Sequence, residues 1–214
     1  MATDDSKLEI LAGHYSDTFA AIQTSLKRRD RLFAGILILL FIMLFQLYAP
    51  QEALALISSI VADTLGSEGA VKYDYVQSAL WFVLLASSIK YFQTVILVER
   101  QYNYIHQLES IISPEYGGDA FTREGASYLQ DYPKFLNWAA FLYTILFPAI
   151  LMLVSTAKII VEFVGAGFNN YLVWFDGLMF LFLIVSVVLY MSVIHSKKKE
   201  PEDEQVEPNH HPES

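Results

Sequence analysis

Apolar residues along this chain crowd into four runs separated by polar segments. The first, within RLFAGILILLFIMLFQLYAP, covers 32–49; the second, YVQSALWFVLLASSIKYFQTVILV, covers 75–98. A third covers 136–157, and the fourth, YLVWFDGLMFLFLIVSVVLYMSVI, covers 171–194. Each approaches the roughly 20 residues that a helix needs to cross a bilayer. Lipid offers the backbone no hydrogen-bond partner, and four segments cannot close a barrel, so the spans must be helices. The pattern predicts an all-α, four-helix transmembrane protein with an amphipathic N-terminal helix and a cytoplasmic extension of the second span.

Outside the spans the spacing remains helical. In 1–31, Leu8, Leu11, Tyr15, Phe19, Ile22 and Leu26 recur every three or four residues, with Asp17, Gln23 and Thr24 opposite. A helix lying on lipid carries cations on its polar face, and only Lys7 precedes Lys27, so packing against another helix is expected. From Tyr91 onward, Val95, Val98, Tyr102, Ile105, Leu108 and Ile112 form a near-heptad seam, closed by Pro114. This seam predicts that the second helix continues past the membrane into 99–135 as a surface for a partner helix or a second copy. The rest of 99–135, punctuated by Pro114, Gly117, Gly118, Gly125 and Pro133, reads as an ordered connection with a short helix over 123–129.

The segment 50–74 has Leu54, Ile57, Ile60 and Leu65 at helical spacing, predicting a short interfacial helix ended by Gly66. The hairpin 158–170 is short, and neither connection is large enough to enclose a site, so chemistry is expected on the opposite face. The segment 195–214, rich in lysine, acids and proline, predicts a disordered tail.

Charge adds orientation. Lys7, Lys27, Arg28, Arg29, Arg31, Arg100, Arg123, Lys134 and Lys197 to Lys199 flank one side, against Lys72 and Lys158 on the other. This asymmetry predicts cytoplasmic termini, with the first span serving as targeting signal. Composition agrees: 54 % hydrophobic and 17 % charged residues are too apolar for a soluble domain of 214 residues. The net charge of −9 argues against direct nucleic-acid binding, and the lack of cysteine excludes disulfides and thiolate chemistry.

Candidate chemistry is sparse. Arg100 and His106 form R-x5-H, which resembles the R-x4–6-H signature of HEPN ribonucleases. A histidine can move protons near neutral pH and an arginine can stabilise phosphorane charge. The alternative is that both make local hydrogen bonds or ion pairs. No metal-ligand spacing or phosphate-binding loop occurs, so no metal or cofactor is expected. Ionisable residues within or beside the spans are Lys90, Lys158, Glu162 and Asp176. Such groups face protein or water and mark relays, pathways or structural pairs. Lys158 and Glu162 are one turn apart, Asp176 is placed to meet Lys158 across the hairpin, and Pro148 is expected to kink the third span.

ERQYNYIHQLE, FTREGASYLQDYPKFLNW and FLYTILFP, spread over 99–148, resemble small four-span bacterial membrane proteins linked to phage-defence neighbourhoods. The resemblance implies a bacterial inner-membrane protein with a defence role and supplies no catalytic residues. The reading that follows is a non-enzymatic, homo-oligomeric sensor or effector coupling an unidentified cytoplasmic protein to the lipid bilayer, with membrane permeabilisation as one output. The alternatives are an ion channel or small transporter, and a membrane-tethered ribonuclease. A fluorescent reporter that matures only in the cytoplasm is expected to light up when fused after Ser214; a dark fusion with an active periplasmic reporter reverses the topology.

Overall fold

The computed structural model describes residues 4–65, 73–112, 138, 141–166 and 170–203. Arg123, Lys134, Lys72, the short helix over 123–129, the Gly66 stop and the tail beyond 203 lie outside the described residues. Those described form five α-helices and no strand: α1 (Asp4–Tyr48), α2 (Pro50–Leu65), α3 (Tyr73–Ile112), α4 (Phe147–Ala166) and α5 (Tyr171–Asp203). A π-helical turn, Leu142–Leu146, leads into α4. Four of these, α1, α3, α4 with its π turn, and α5, are long and apolar enough to cross a membrane. The protein is a multi-pass α-helical membrane protein.

The spans form a ring in the order α1, α3, α5, α4, with α4 closing back on α1. Side chains of the diagonal pair α3 and α4 meet across the middle. Leu84, Leu151 and Leu183, from α3, α4 and α5, are fully buried in one apolar layer, with Ile36, Leu40 and Met43 of α1 beside them. The outer faces carry the opposite signature of a soluble protein: Phe41, Leu153, Val164 and Leu189 are more than half exposed, as side chains facing lipid must be. Some hydroxyls on these helices return to their own backbone. Thr94, Ser186 and Ser192 each donate to the carbonyl four residues back, at 2.7, 2.7 and 2.8 Å.

Two girdles bound the membrane slab. At the hairpin end, where α1 bends into α2 and α4 connects to α5, lie exposed Tyr48, Tyr75, Tyr171 and Trp174. The Tyr75 and Tyr171 hydroxyls meet at 3.1 Å. At the terminal end, Phe33, Tyr91, Phe92, Tyr143, Phe147 and Tyr190 form an aromatic collar. The Arg29 guanidinium lies 5.6 Å over the Tyr143 ring. Because Phe33 packs on Tyr91 with centroids 6.2 Å apart, Lys90 sits level with the start of the first span. It is exposed, and a lysine stem of that length can snorkel toward a headgroup layer. Tyr75 to Lys90 is then a crossing of about 22 Å at 1.5 Å per residue, and Tyr171 to Tyr190 about 28 Å. Both fall short of the roughly 30 Å of a typical hydrocarbon core, a mismatch met by thinning or snorkelling.

Beyond the collar, α1 and α3 stay together. Val98, Ile105, Leu108 and Ile22 are buried, Val95 is half-buried, and Tyr15 Oη donates to Glu109 Oε1 at 3.2 Å. The expected packing of the amphipathic N-terminal helix is observed, and it consumes most of the seam within one chain. Tyr102 stays 37 % exposed at its edge, and Ile112 closes α3.

Three expected boundaries shift. The third span runs to Ala166, not 157, because Lys158 and Glu162 neutralise each other inside the bundle and so do not end it. The expected hairpin 158–170 contracts to the residues after Ala166. The tail does not begin disordered at 195: α5 continues to Asp203, since Lys and Glu are good helix formers once out of lipid. Just before Pro148, where a kink is expected, the helix widens into the π turn. Pro148 has no N–H and its ring clashes with a carbonyl four residues back; the widened turn, in which Phe147 N–H donates to Leu142 O, accommodates it.

Leu151 is fully buried in the apolar layer. Lipid is as apolar as this layer, so transfer contributes little and the cavity dominates. Leu151→Ala is expected to lower stability by about 2 kcal/mol in an SDS titration from mixed micelles.

Candidate functional site

The densest polar cluster lies among the spans at the hairpin end. On α3, Asp74, Gln77 and Trp81 recur three and four residues apart, on one inward face. On α4, Lys158 and Glu162 do the same. Asp176 enters from α5 about one and a half turns after its start, and Gln46 from the last turn of α1. All four spans contribute.

The bonds within the cluster are specific. Lys158 Nζ lies 3.2 Å from Glu162 Oε1. Trp81 Nε1 donates across the bundle to the same carboxylate, at 3.2 Å to Oε1 and 2.9 Å to Oε2. At the rim, Asn170 Nδ2 donates to Asp74 Oδ2 at 3.2 Å, while its Oδ1 accepts the Leu172 N–H at 3.0 Å and caps α5. Lys158, Glu162 and Asp176 are nevertheless buried. Asp176 Oδ1 and both amide atoms of Gln46 have no hydrogen-bond partner among the described residues.

These residues surround a cavity of about 450 Å³, with Asp74, Pro50 and Asn170 at its mouth and Gln77, Glu162 and Asp176 in its wall. Trp81 and the apolar layer of Leu84, Leu151 and Leu183 lie beyond it, so within one chain it is a blind vestibule. This overturns the expectation that the hairpin side cannot enclose a site. The short connections do not build the cavity; the spans do.

The predicted site residues separate into those the fold unites and those it does not. Lys158, Glu162 and Asp176 line one cavity. Lys90 is remote from them, exposed at the other girdle. Arg100 and His106 are not united either: six residues on a helix place them about 9 Å apart along the axis and some 120° apart around it. Arg100 is exposed, and His106 Nδ1 lies 3.3 Å from Glu109 Oε2. Among the described residues, no three histidine or acidic side chains cluster as a metal site would require. Sequence reasoning missed Gln46, Asp74, Gln77 and Trp81. The legible signal was the three- and four-residue spacing of Asp74, Gln77 and Trp81 at the start of an apolar run.

No protein-family model, curated protein or solved structure matches the chain.

Lys158→Met is expected to lower stability by about 3–5 kcal/mol, because it strands Glu162 among apolar side chains. Adding Glu162→Gln is expected to restore most of the loss, since the amide oxygen still accepts the Trp81 N–H. Urea or SDS titrations of both variants check this; an additive double variant removes the coupling.

Proposed function

We propose that this protein is a membrane relay: the hairpin-end pocket receives a ligand, and the paired helices α1 and α3 carry its effect to a cytoplasmic partner. The carrying observation is that α3 is one helix of 40 residues. It holds Asp74 and Gln77 in the pocket, Trp81 bonded to the pocket's Glu162, and Ile105, Leu108 and Glu109 in the stalk. A helix that moves as one rigid rod carries a shift at one end to the side chains at the other. Occupying the pocket changes what Trp81 and Glu162 bind, and α1, packed on α3 on both sides of the collar, must follow.

The stalk also offers a docking face. Tyr104 and Ile111 are exposed two turns apart on one side of α3, 45 % and 56 % accessible. The seam residues Val98, Ile105 and Leu108 are already covered, so a second copy would bind elsewhere than first expected. The resemblance of 99–148 to phage-defence-linked proteins supports a bacterial inner-membrane setting and a defence or stress output.

Ion conduction is the second reading, favoured by carboxylates inside the spans. The leucine layer opposes it in a single closed chain. Permeabilisation would require that layer to part or several chains to assemble.

The chain lacks cysteine, so Ala12→Cys and Gln107→Cys introduce unique spin-label sites on exposed positions of α1 and α3. In nanodiscs, Glu162→Gln is expected to shift the label-to-label distance by about 1–2 Å or to broaden it, the scale of helix shifts in switching proteins. Superimposable distance distributions overturn the relay.

A further inference from the structure

We infer that the hairpin-end pocket binds a small protonated amine, its ammonium group on Asp176 and Gln46 and a short carbon skeleton against the apolar wall. The inference rests on the relay reading only for what binding achieves; the binding itself follows from the chemistry of the pocket.

Charge sets the sign of the ligand. Three carboxylates, Asp74, Glu162 and Asp176, line the cavity against one cation, Lys158. That lysine is engaged by Glu162 at 3.2 Å. An anion entering here meets net repulsion, and a cation meets attraction strengthened by the low dielectric around it.

Hydrogen-bond capacity sets the place. Glu162 already accepts from Lys158 and Trp81, and Asp74 accepts from Asn170. Asp176 is 1 % exposed, yet its Oδ1 meets no donor among the described residues. Gln46, 3 % exposed, has neither amide atom engaged. Both side chains line the cavity. A buried carboxylate with an oxygen left unpaired is costly until a cation or a proton neutralises it, and polar atoms left unmade are costly too. An ammonium group supplies several N–H donors and a positive charge together.

Size and lining separate an amine from a metal ion. A cavity of about 450 Å³ is far larger than a bare ion needs and falls in the range of small-molecule sites. Leu47, Val161, Leu172 and Val173 share the wall with the carboxylates. Apolar side chains there suit a carbon skeleton and offer nothing to a hydrated ion.

The test uses the full chain in nanodiscs with Trp138→Phe and Trp174→Phe, which leaves Trp81 as the sole indole, bonded to Glu162. Titration with n-butylammonium chloride is expected to change Trp81 emission saturably, while sodium chloride and sodium butyrate leave it unchanged. Asp176→Asn is expected to weaken binding by about tenfold or more, and Gln46→Met by about threefold. Native Trp81 emission in each unliganded variant shows that the bundle still folds. The inference is overturned by no saturable response, by an equal response to either sodium salt, or by undiminished binding in Asp176→Asn. Amine binding with an unmoved stalk would uphold this inference and overturn the relay. A stalk shift in Glu162→Gln without amine binding would do the reverse.

Discussion

A lysine and a glutamate can sit inside a membrane helix when each cancels the charge of the other, and this condition organises the hairpin half of the molecule. Lys158 and Glu162 are one turn apart, and the Trp81 indole donates to the same carboxylate from the opposite helix. Turned toward lipid, each charge would cost about 2.5–3.5 kcal/mol on insertion scales. The pair therefore fixes which face of α4 turns inward and holds α4 to α3 across the diagonal. Asp176 of α5 and Gln46 of α1 line the cavity beside that centre.

The two halves of the bundle differ in kind. The hairpin half is polar inside and rimmed by tyrosine and tryptophan. The terminal half is closed by leucines and then by the aromatic collar, with Arg29 over Tyr143. Polar contents on one side and dry packing on the other make an asymmetric molecule. Past the collar, α1 and α3 leave the bilayer together, so the most extended feature of the fold is continuous with the wall of its only fully inward-facing charged cluster among the described residues.

Much of the fold was legible in periodicity. Runs of apolar residues located the four spans, and the spacing of Leu11, Tyr15, Phe19 and Ile22 foretold a helix that packs on the seam of Val98, Ile105 and Leu108. Boundaries are less legible, because a charge marks an edge only when it lacks a partner inside. Lys158 lies in a span that runs on to Ala166, and Trp81, which bonds its partner Glu162, is 77 residues away from Lys158 in the chain. The same limit hid the pocket: each helix contributes one or two polar residues, unremarkable alone, and only the ring of helices makes them a site. Arg100 and His106 show the converse. Their spacing matches a motif, and the same spacing on one helix sets them some 120° apart, so any joint role would need groups from outside the helix.

The π turn at Leu142–Leu146 bears on all of this from the far side of the membrane. Such a turn holds one residue more than an α turn, so every side chain beyond it is rotated by about 100° relative to an unbroken helix. The register that lets Lys158 and Glu162 face inward is thus set in part near Pro148, beside the Arg29 and Tyr143 contact. The helix works as a camshaft whose key is cut at one end and whose lobes act at the other.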